Sequence, residues 1–197
     1  MNDPQIREVF HRQVLRNFHN SSTTLVVDEL GLEHGKCRAD IAVINGQLMG
    51  YEIKSDVDSL KRLVFQIETY NTVFDLSSLV LTERHLSEVM RIIPDWWGVI
   101  LAKENNKKFI YFEHLRYPIQ NTITKDYSVV QLLWRDEAQQ VLMKLGIRGA
   151  QLRKSRAYLY KDIIELLEPP VLRDTVREYL KKRTGWRDHV LAFPNDG

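Results

Sequence analysis

Residues 40–54 read DIAVINGQLMGYEIK, an apolar stretch opened by Asp40, interrupted at Asn45-Gly46 and closed by Glu52-x-Lys54. Asn-Gly between two apolar runs is a strong hairpin signal, so residues 39–44 and 48–54 are expected to form antiparallel strands. Side chains alternate along a strand, which puts Glu52 and Lys54 on one face and Ile53 on the other. Whether Asp40 joins them depends on register. A two-residue loop would set Asp40 opposite Tyr51 and on the wrong face, whereas an odd-length loop, or a bulge near Gly46 or Gly50, brings it beside or opposite Glu52. A three-residue loop or a bulge is therefore predicted.

Two carboxylates with an ammonium beside them suit a hard divalent cation. Mg²⁺ takes one or two carboxylates, keeps several waters and leaves room for a phosphate oxygen. Asp40 and Glu52 are the expected ligands, and Lys54 would orient or help deprotonate a water, or stabilise charge on a phosphate under attack. Glu-x-Lys by itself is a common tripeptide, usually a surface pair. Its context here adds an acid on the preceding strand, a glycine-containing turn and a helix immediately after.

Outward from this hairpin, apolar residues in 4–18 recur at helical spacing behind an Asn2/Asp3 capping signal, and 23–27 is a β-branched strand. Residues 58–74 have a second helical period, with Arg62, Gln66 and Tyr70 along one stripe. A buried strand at 79–81, a short helix at 85–93 stopped by Pro94, and strands at 98–102 and 108–113 follow. The order αβββαβαββ implies an α/β fold with a mixed sheet covered on both faces. Beyond Pro118 the pattern turns helical, at 129–145, 151–167 and 171–183, with Gly146, Gly149 and Pro169-Pro170 as separators. Residues 1–117 are thus expected as the core and 118–197 as a helical appendix packed on it. The appendix carries many cations, among them Arg148, Arg153, Lys154, Arg156, Lys161, Arg177 and Arg187. Solvated helix faces account for most such runs, and nucleic-acid contact is the alternative.

The 197 residues are 44 % hydrophobic and 27 % charged, enough for one good core, and a formal net charge of +2 neither requires nor excludes a polyanionic partner. A single cysteine, Cys37, rules out a disulfide framework. With neither a secretory leader nor a membrane-crossing run in the sequence, a cytoplasmic protein is expected. His34 and Cys37 lack the further donors zinc needs. Trp96-Trp97 reads as core or as a base-stacking pair. His85, His114 and His189 have no partner recognisable from sequence.

Asp40...Glu52-x-Lys54 followed by Gln66-x-x-x-Tyr70 resembles the PD-(D/E)xK nuclease superfamily, and the Q-x-x-x-Y element is similar to that of its RecB-type and lambda-exonuclease-type members. Over residues 26–75 the chain looks like a bacterial branch of that superfamily, and the likeness thins in the appendix. The resemblance implies a restriction-endonuclease-like αβββαβ core, hydrolysis of DNA phosphodiesters with Mg²⁺ or Mn²⁺, and metal ligation by Asp40, Glu52 and the main-chain carbonyl of Ile53. Ala39 stands where the motif often has Pro. The superfamily often adds an acid from the first helix. Glu8 lies there, but Glu29 sits inside the resembling stretch and is preferred. Gln66 and Tyr70 would position the lysine, a water or a phosphate, while Arg38 and Arg62 would contact phosphate or pair with the acids. Two other functions fit the same sequence: a non-catalytic nucleic-acid-binding or scaffold protein on the same fold, and a partner-dependent defence or toxin nuclease docking through its C-terminal helices. A homodimer is a common starting expectation for either.

Overall fold

A computed structural model describes residues 1–183; Arg187 and His189 lie outside the described residues. Helix α1, Asp3–Gln13, starts at Asn2, whose side chain accepts from the Gln5 N–H while Gln5 reaches back to the Asn2 N–H. It stops at Val14, short of the predicted 18, and a four-residue helix, α2 (Arg16–His19), follows. The strands are β1, Leu25–Leu32, β2, Cys37–Ile44, and β3, Leu48–Lys54. After a 3₁₀ turn come α3 (Leu63–Val73), β4 (Leu76–Thr82), α4 (Glu83–Val89), β5 (Gly98–Glu104) and β6 (Ile110–Arg116).

These six strands form one sheet in sequence order. Its outer neighbours are antiparallel, but β3, β4 and β5 run parallel, because α3 and then α4 carry the chain back across the sheet between them. Parallel strands are covered on both faces, which is why β4 is buried almost from end to end. On one face, Ile6 and Phe10 of α1 and the following Leu15 pack on Val26, Ile41, Val43, Ile53, Val80 and Ile100. On the other, α3 and the C-terminal helices cover Val27, Ala42, Ile44, Leu79, Leu81 and Leu101. The fold is thus α/β with a mixed six-stranded sheet, and the predicted order of strands and helices through residue 116 is present with α2 added.

The C-terminal helices are α5 (Asp126–Val130), α6 (Arg135–Lys144), α7 (Arg156–Leu166) and α8 (Pro169–Lys182). Two boundaries differ from expectation here. The pattern at 129–145 is two helices, because Trp134 starts a new one with its N–H on Glu137 Oε2. The expected break between the last two helices is present but falls at Leu167-Glu168, and Pro169-Pro170 begins α8, where a missing N–H costs nothing and the fixed φ already suits the first turn. Val130, Leu142, Tyr160, Ile163, Leu172 and Leu180 from this region belong to the same apolar cluster as the sheet. Trp97 is core as well, fully buried with its indole N–H on Asn71 Oδ1.

The β1–β2 ribbon changes faces partway along. Val26, Ile41 and Val43 pack toward α1, but Leu30, Leu32, Cys37 and Ala39 pack on the α3 side, although strict alternation from Val26 would send Leu30 and Leu32 to α1. The reversal sits at Glu29, which has φ 57, and the strand pairing passes from Asp28↔Ile41 to Leu30↔Ala39 without a Glu29–Asp40 step. A non-glycine residue held in the left-handed region costs on the order of 1 kcal/mol, and such strain concentrates at functional sites.

Gly50 has a local steric reason. A Cβ there would lie 2.6 Å from Cδ2 of the fully buried Phe74, so the bare backbone lets that ring lie against β3. Gly50→Ala is expected to destabilise the protein by about 1–3 kcal/mol, the cost of overpacking a filled core. A drop in the urea midpoint at unchanged m-value is the measurement.

Candidate functional site

The β2–β3 hairpin turns through three residues, Asn45 to Gln47, with Ile44↔Leu48 and Ile41↔Tyr51 in register. Asn45 Oδ1 takes the Gln47 N–H and fixes the turn. The odd loop length puts Asp40 across from Glu52, the parity that the sequence required. The two residues do not continue the ladder, however. Asp40 Oδ2 accepts the Ile53 N–H at 2.7 Å, so the carboxylate stands in for a strand partner where β2 leaves β3.

Glu52 is 1 % exposed and held by three donors. Lys54 Nζ (2.5 Å) and the Gln66 amide donate to Oε1, and the Tyr70 hydroxyl donates to Oε2 at 2.7 Å. Gln66 and Tyr70 reach it together because they are four residues apart on the buried side of α3. Burial, and then the Glu52 charge, raise the Tyr70 phenol well above its ordinary value, which keeps it a donor. Arg62, the N-cap of α3, is exposed at the rim instead.

Asp40 is pushed up to about 7, first by burial and then by the Glu52 charge, with the Ile53 N–H, Arg7 and Lys54 opposing. Arg7 was not found from sequence. It reaches over from α1, where Asp3 anchors its Nε, to donate to the Asp40 carbonyl, and its Nη2 lies 3.3 Å from Asp40 Oδ1 and 3.4 Å from Glu29 Oε1. The only trace in the sequence is the Asp3–Arg7 spacing beside the apolar positions Ile6 and Phe10. His11 was missed as well: it is buried, with Nε2 3.0 Å from Asp28 Oδ1. Glu29 adjoins Asp40 through Arg7, while Glu8 is exposed and paired with Arg12, so of the two competing acids the fold brings Glu29 to the site.

The carboxylates of the site are turned to protein donors. Mg²⁺ needs carboxylate lone pairs turned toward it, yet both Glu52 oxygens accept from the protein and one Asp40 oxygen is taken by Ile53. Among the described residues, no group of three or more His, Cys, Asp or Glu side chains could hold a metal ion. The main chain of Ile53, expected as a ligand through its carbonyl, is seen here donating its N–H to Asp40.

In front of these groups lies a groove of about 420 Å³ between the tip of the β1–β2 ribbon and the start of α3. Glu29, Lys36, Arg38 and Asp40 line one side, Arg62, Phe65 and Gln66 the other. Cys37 also borders it, but burial and then the Glu52 charge push its thiol up to about 11, so it is not a poised nucleophile. Arg38 lies 3.7 Å from Glu29. His34 stacks on Tyr160, and its lowered pKa reflects burial and then the nearby charges of Arg156 and Lys36. The cations therefore continue from the ribbon tip onto α7.

Two outcomes follow from the site's electrostatics. Because Asp40 is raised in the folded protein, the native state holds a proton that the unfolded chain has released. That contribution is full below the ordinary value of 3.8 and is lost as the pH rises through about 7. Chemical denaturation between pH 5 and 8 should show stability falling with pH, and Asp40→Asn should flatten the slope. Removing the ammonium from a buried pair leaves an uncompensated charge, so Lys54→Met is expected to destabilise by about 3–5 kcal/mol. The double variant Glu52→Gln/Lys54→Met should recover part of this, and a double-mutant cycle measures the coupling.

The family described as Bacteriophage P4 protein cII matches residues 4–192. A relative from Enterobacteria phage P4, "Protein cII", is 26 % identical over 175 residues, covering 89 % of this chain. The chain spans 63 % of that relative's length. No solved structure matches. These findings overturn the PD-(D/E)xK assignment made from Asp40, Glu52-x-Lys54 and Gln66-x-x-x-Tyr70, and with it the expected Mg²⁺-dependent deoxyribonuclease and the bacterial branch. The residues converge as that motif demands, but a motif of five positions is a weaker statement than a match along almost the whole chain. The chain belongs to the bacteriophage P4 protein cII family.

Proposed function

We propose that this chain is a non-catalytic nucleic-acid-binding protein that receives a phosphate backbone along its groove. One observation carries this reading. Lys36, Arg62 and Arg156 are exposed, and among the described residues none has a carboxylate within ion-pair distance. Lys36 and Arg62 line the groove, and the charge of Arg156 reaches His34 at the ribbon tip; unpaired cations clustered in and beside one concave surface are the electrostatic footprint of a polyanion site.

The groups beneath the groove are consistent with binding rather than cleavage. Glu52 is engaged by Lys54, Gln66 and Tyr70, and Asp40 by Ile53 and Arg7, so the acids hold the strand ends and the α3 contact together. We read the αβββαβ order as a restriction-endonuclease-like core serving as scaffold, with the ribbon tip and α7 supplying cations to one side. DNA is the proposed partner. Among the described residues no helix is long and apolar enough to cross a membrane.

Lys36→Ala/Arg62→Ala/Arg156→Ala, all surface changes, should weaken binding of a fluorescein-labelled DNA while leaving thermal unfolding unchanged. Each lost phosphate contact lowers the slope of log K against log salt by about 0.7–0.9, so the triple variant should lose roughly two to three from it. No binding of DNA by the wild type at low salt, or an unchanged slope in the variant, would remove the proposal.

A further inference from the structure

We infer that the groove accepts an unpaired nucleotide, its base against Phe65 and its flanking phosphates on Lys36 and Arg62, so that this chain prefers single-stranded nucleic acid to duplex. The inference rests on the nucleic-acid reading above and deepens it.

Three observations meet here. Phe65 lines the groove and is 45 % exposed although it is a large aromatic residue next to the core position Gln66. An isolated exposed Phe needs no explanation, but one on the wall of a concave, cation-rimmed site offers a ring face to a ligand. An unpaired base presents its own face, whereas bases in a duplex keep theirs inside the stack, so an aromatic wall discriminates between the two.

The second observation is Gln66. It is 8 % exposed and lines the same groove, and its amide N–H₂ is committed to Glu52, which fixes the orientation of the side chain. That leaves Oε1 buried with no hydrogen-bond partner. A buried acceptor without a donor costs about 1–3 kcal/mol, and a small movement of the side chain would let it accept from a base N–H. Turning the amide over would set Oε1 against Glu52 Oε1, which already accepts from Lys54, so an acceptor would face an acceptor.

The third is dimension and continuity. A site of about 420 Å³ falls in the range of pockets that enclose one small-molecule-sized group. The cations do not stop at its mouth, since the charges of Lys36 and Arg156 both reach His34 on the far side. A free nucleotide would leave Arg156 unused, while a strand lying on Arg62 and Lys36 in the groove could continue past His34 to Arg156.

The test is fluorescence anisotropy with a mixed-sequence DNA single strand, the same sequence as duplex, an RNA single strand and a mononucleotide competitor. Wild type, Phe65→Ala and Phe65→Tyr are compared, with thermal unfolding as the check that the exposed-site variants fold. The single strand should bind more tightly than the duplex. Phe65→Ala should weaken single-strand binding about tenfold and erase the advantage over duplex, and Phe65→Tyr should restore it. A 2-aminopurine in the strand should change its emission on binding to wild type and not to Phe65→Ala. Equal affinity for strand and duplex, or a Phe65→Ala variant that binds as the wild type does, overturns the inference. The nucleic-acid reading survives that result if the Lys36/Arg62/Arg156 triple variant still loses affinity for both. Displacement of the strand by the mononucleotide at similar concentration would also overturn it, by assigning the groove to a free nucleotide. Failure of every nucleic acid to bind removes both readings together.

Discussion

A carboxylate that is almost wholly buried must be neutralised or fully hydrogen-bonded, and in this protein Glu52 is the group that imposes that demand. Lys54 meets it from the same strand, while Gln66 and Tyr70 meet it from α3. The helix is thereby fixed in rotation over the sheet by polar contacts, while Leu63, Ile67 and Val73 supply the apolar burial that holds it down. Apolar packing alone is tolerant of small rotations; a carboxylate with three directed donors is not. Much of what surrounds the groove follows from this, because Arg62 and Phe65 take their places at its rim from the same helix.

The second constraint lies one strand away. At Glu29 the left-handed backbone turns the ribbon over, so the half of it beyond Glu29 leaves the α1 face and leans toward α3 and the C-terminal helices. Glu29 and Asp40, at that change of face, line the groove. Asp40 sits at the crossover, with α1 contributing Arg7 and β3 contributing the Ile53 N–H, and the three acids Asp28, Glu29 and Asp40 share a single guanidinium. Conformational strain at Glu29 thus lies beside the electrostatics of the site, where the raised Asp40 proton affinity is a consequence first of burial and then of the Glu52 charge.

The acid, acid, lysine, glutamine and tyrosine that suggested a nuclease are brought together in space, yet the family match places the chain with phage P4 protein cII. The pattern misleads for a physical reason. A metal-binding carboxylate and a buried structural carboxylate both require a nearby cation and hydrogen-bond donors, and both are most easily supplied by the next-but-one residue on the strand and by a covering helix. Side-chain identity at these spacings records that the groups meet, not whether their lone pairs face an ion or one another. Here the oxygens face protein donors.

Short-range physics was enough for the hairpin. Asn45-Gly46 marked the turn and alternation put Glu52 and Lys54 on one face, each from a few neighbouring residues, while the odd loop length followed only from requiring Asp40 to face Glu52. The helices and strands through residue 116 were legible for the same reason, and the position of Gln66 and Tyr70 on one helix face followed from a four-residue spacing. What the sequence could not reveal was decided by contacts between distant segments. Arg7 meets Asp40 across 33 residues, Glu29 adopts its backbone angle only because the ribbon must serve two packing faces, and Pro169-Pro170 opens a helix where local rules also allow a break. Periodicity encodes which face of an element is apolar, but the partner that face meets, and the side on which a charged side chain emerges, are properties of the assembled chain.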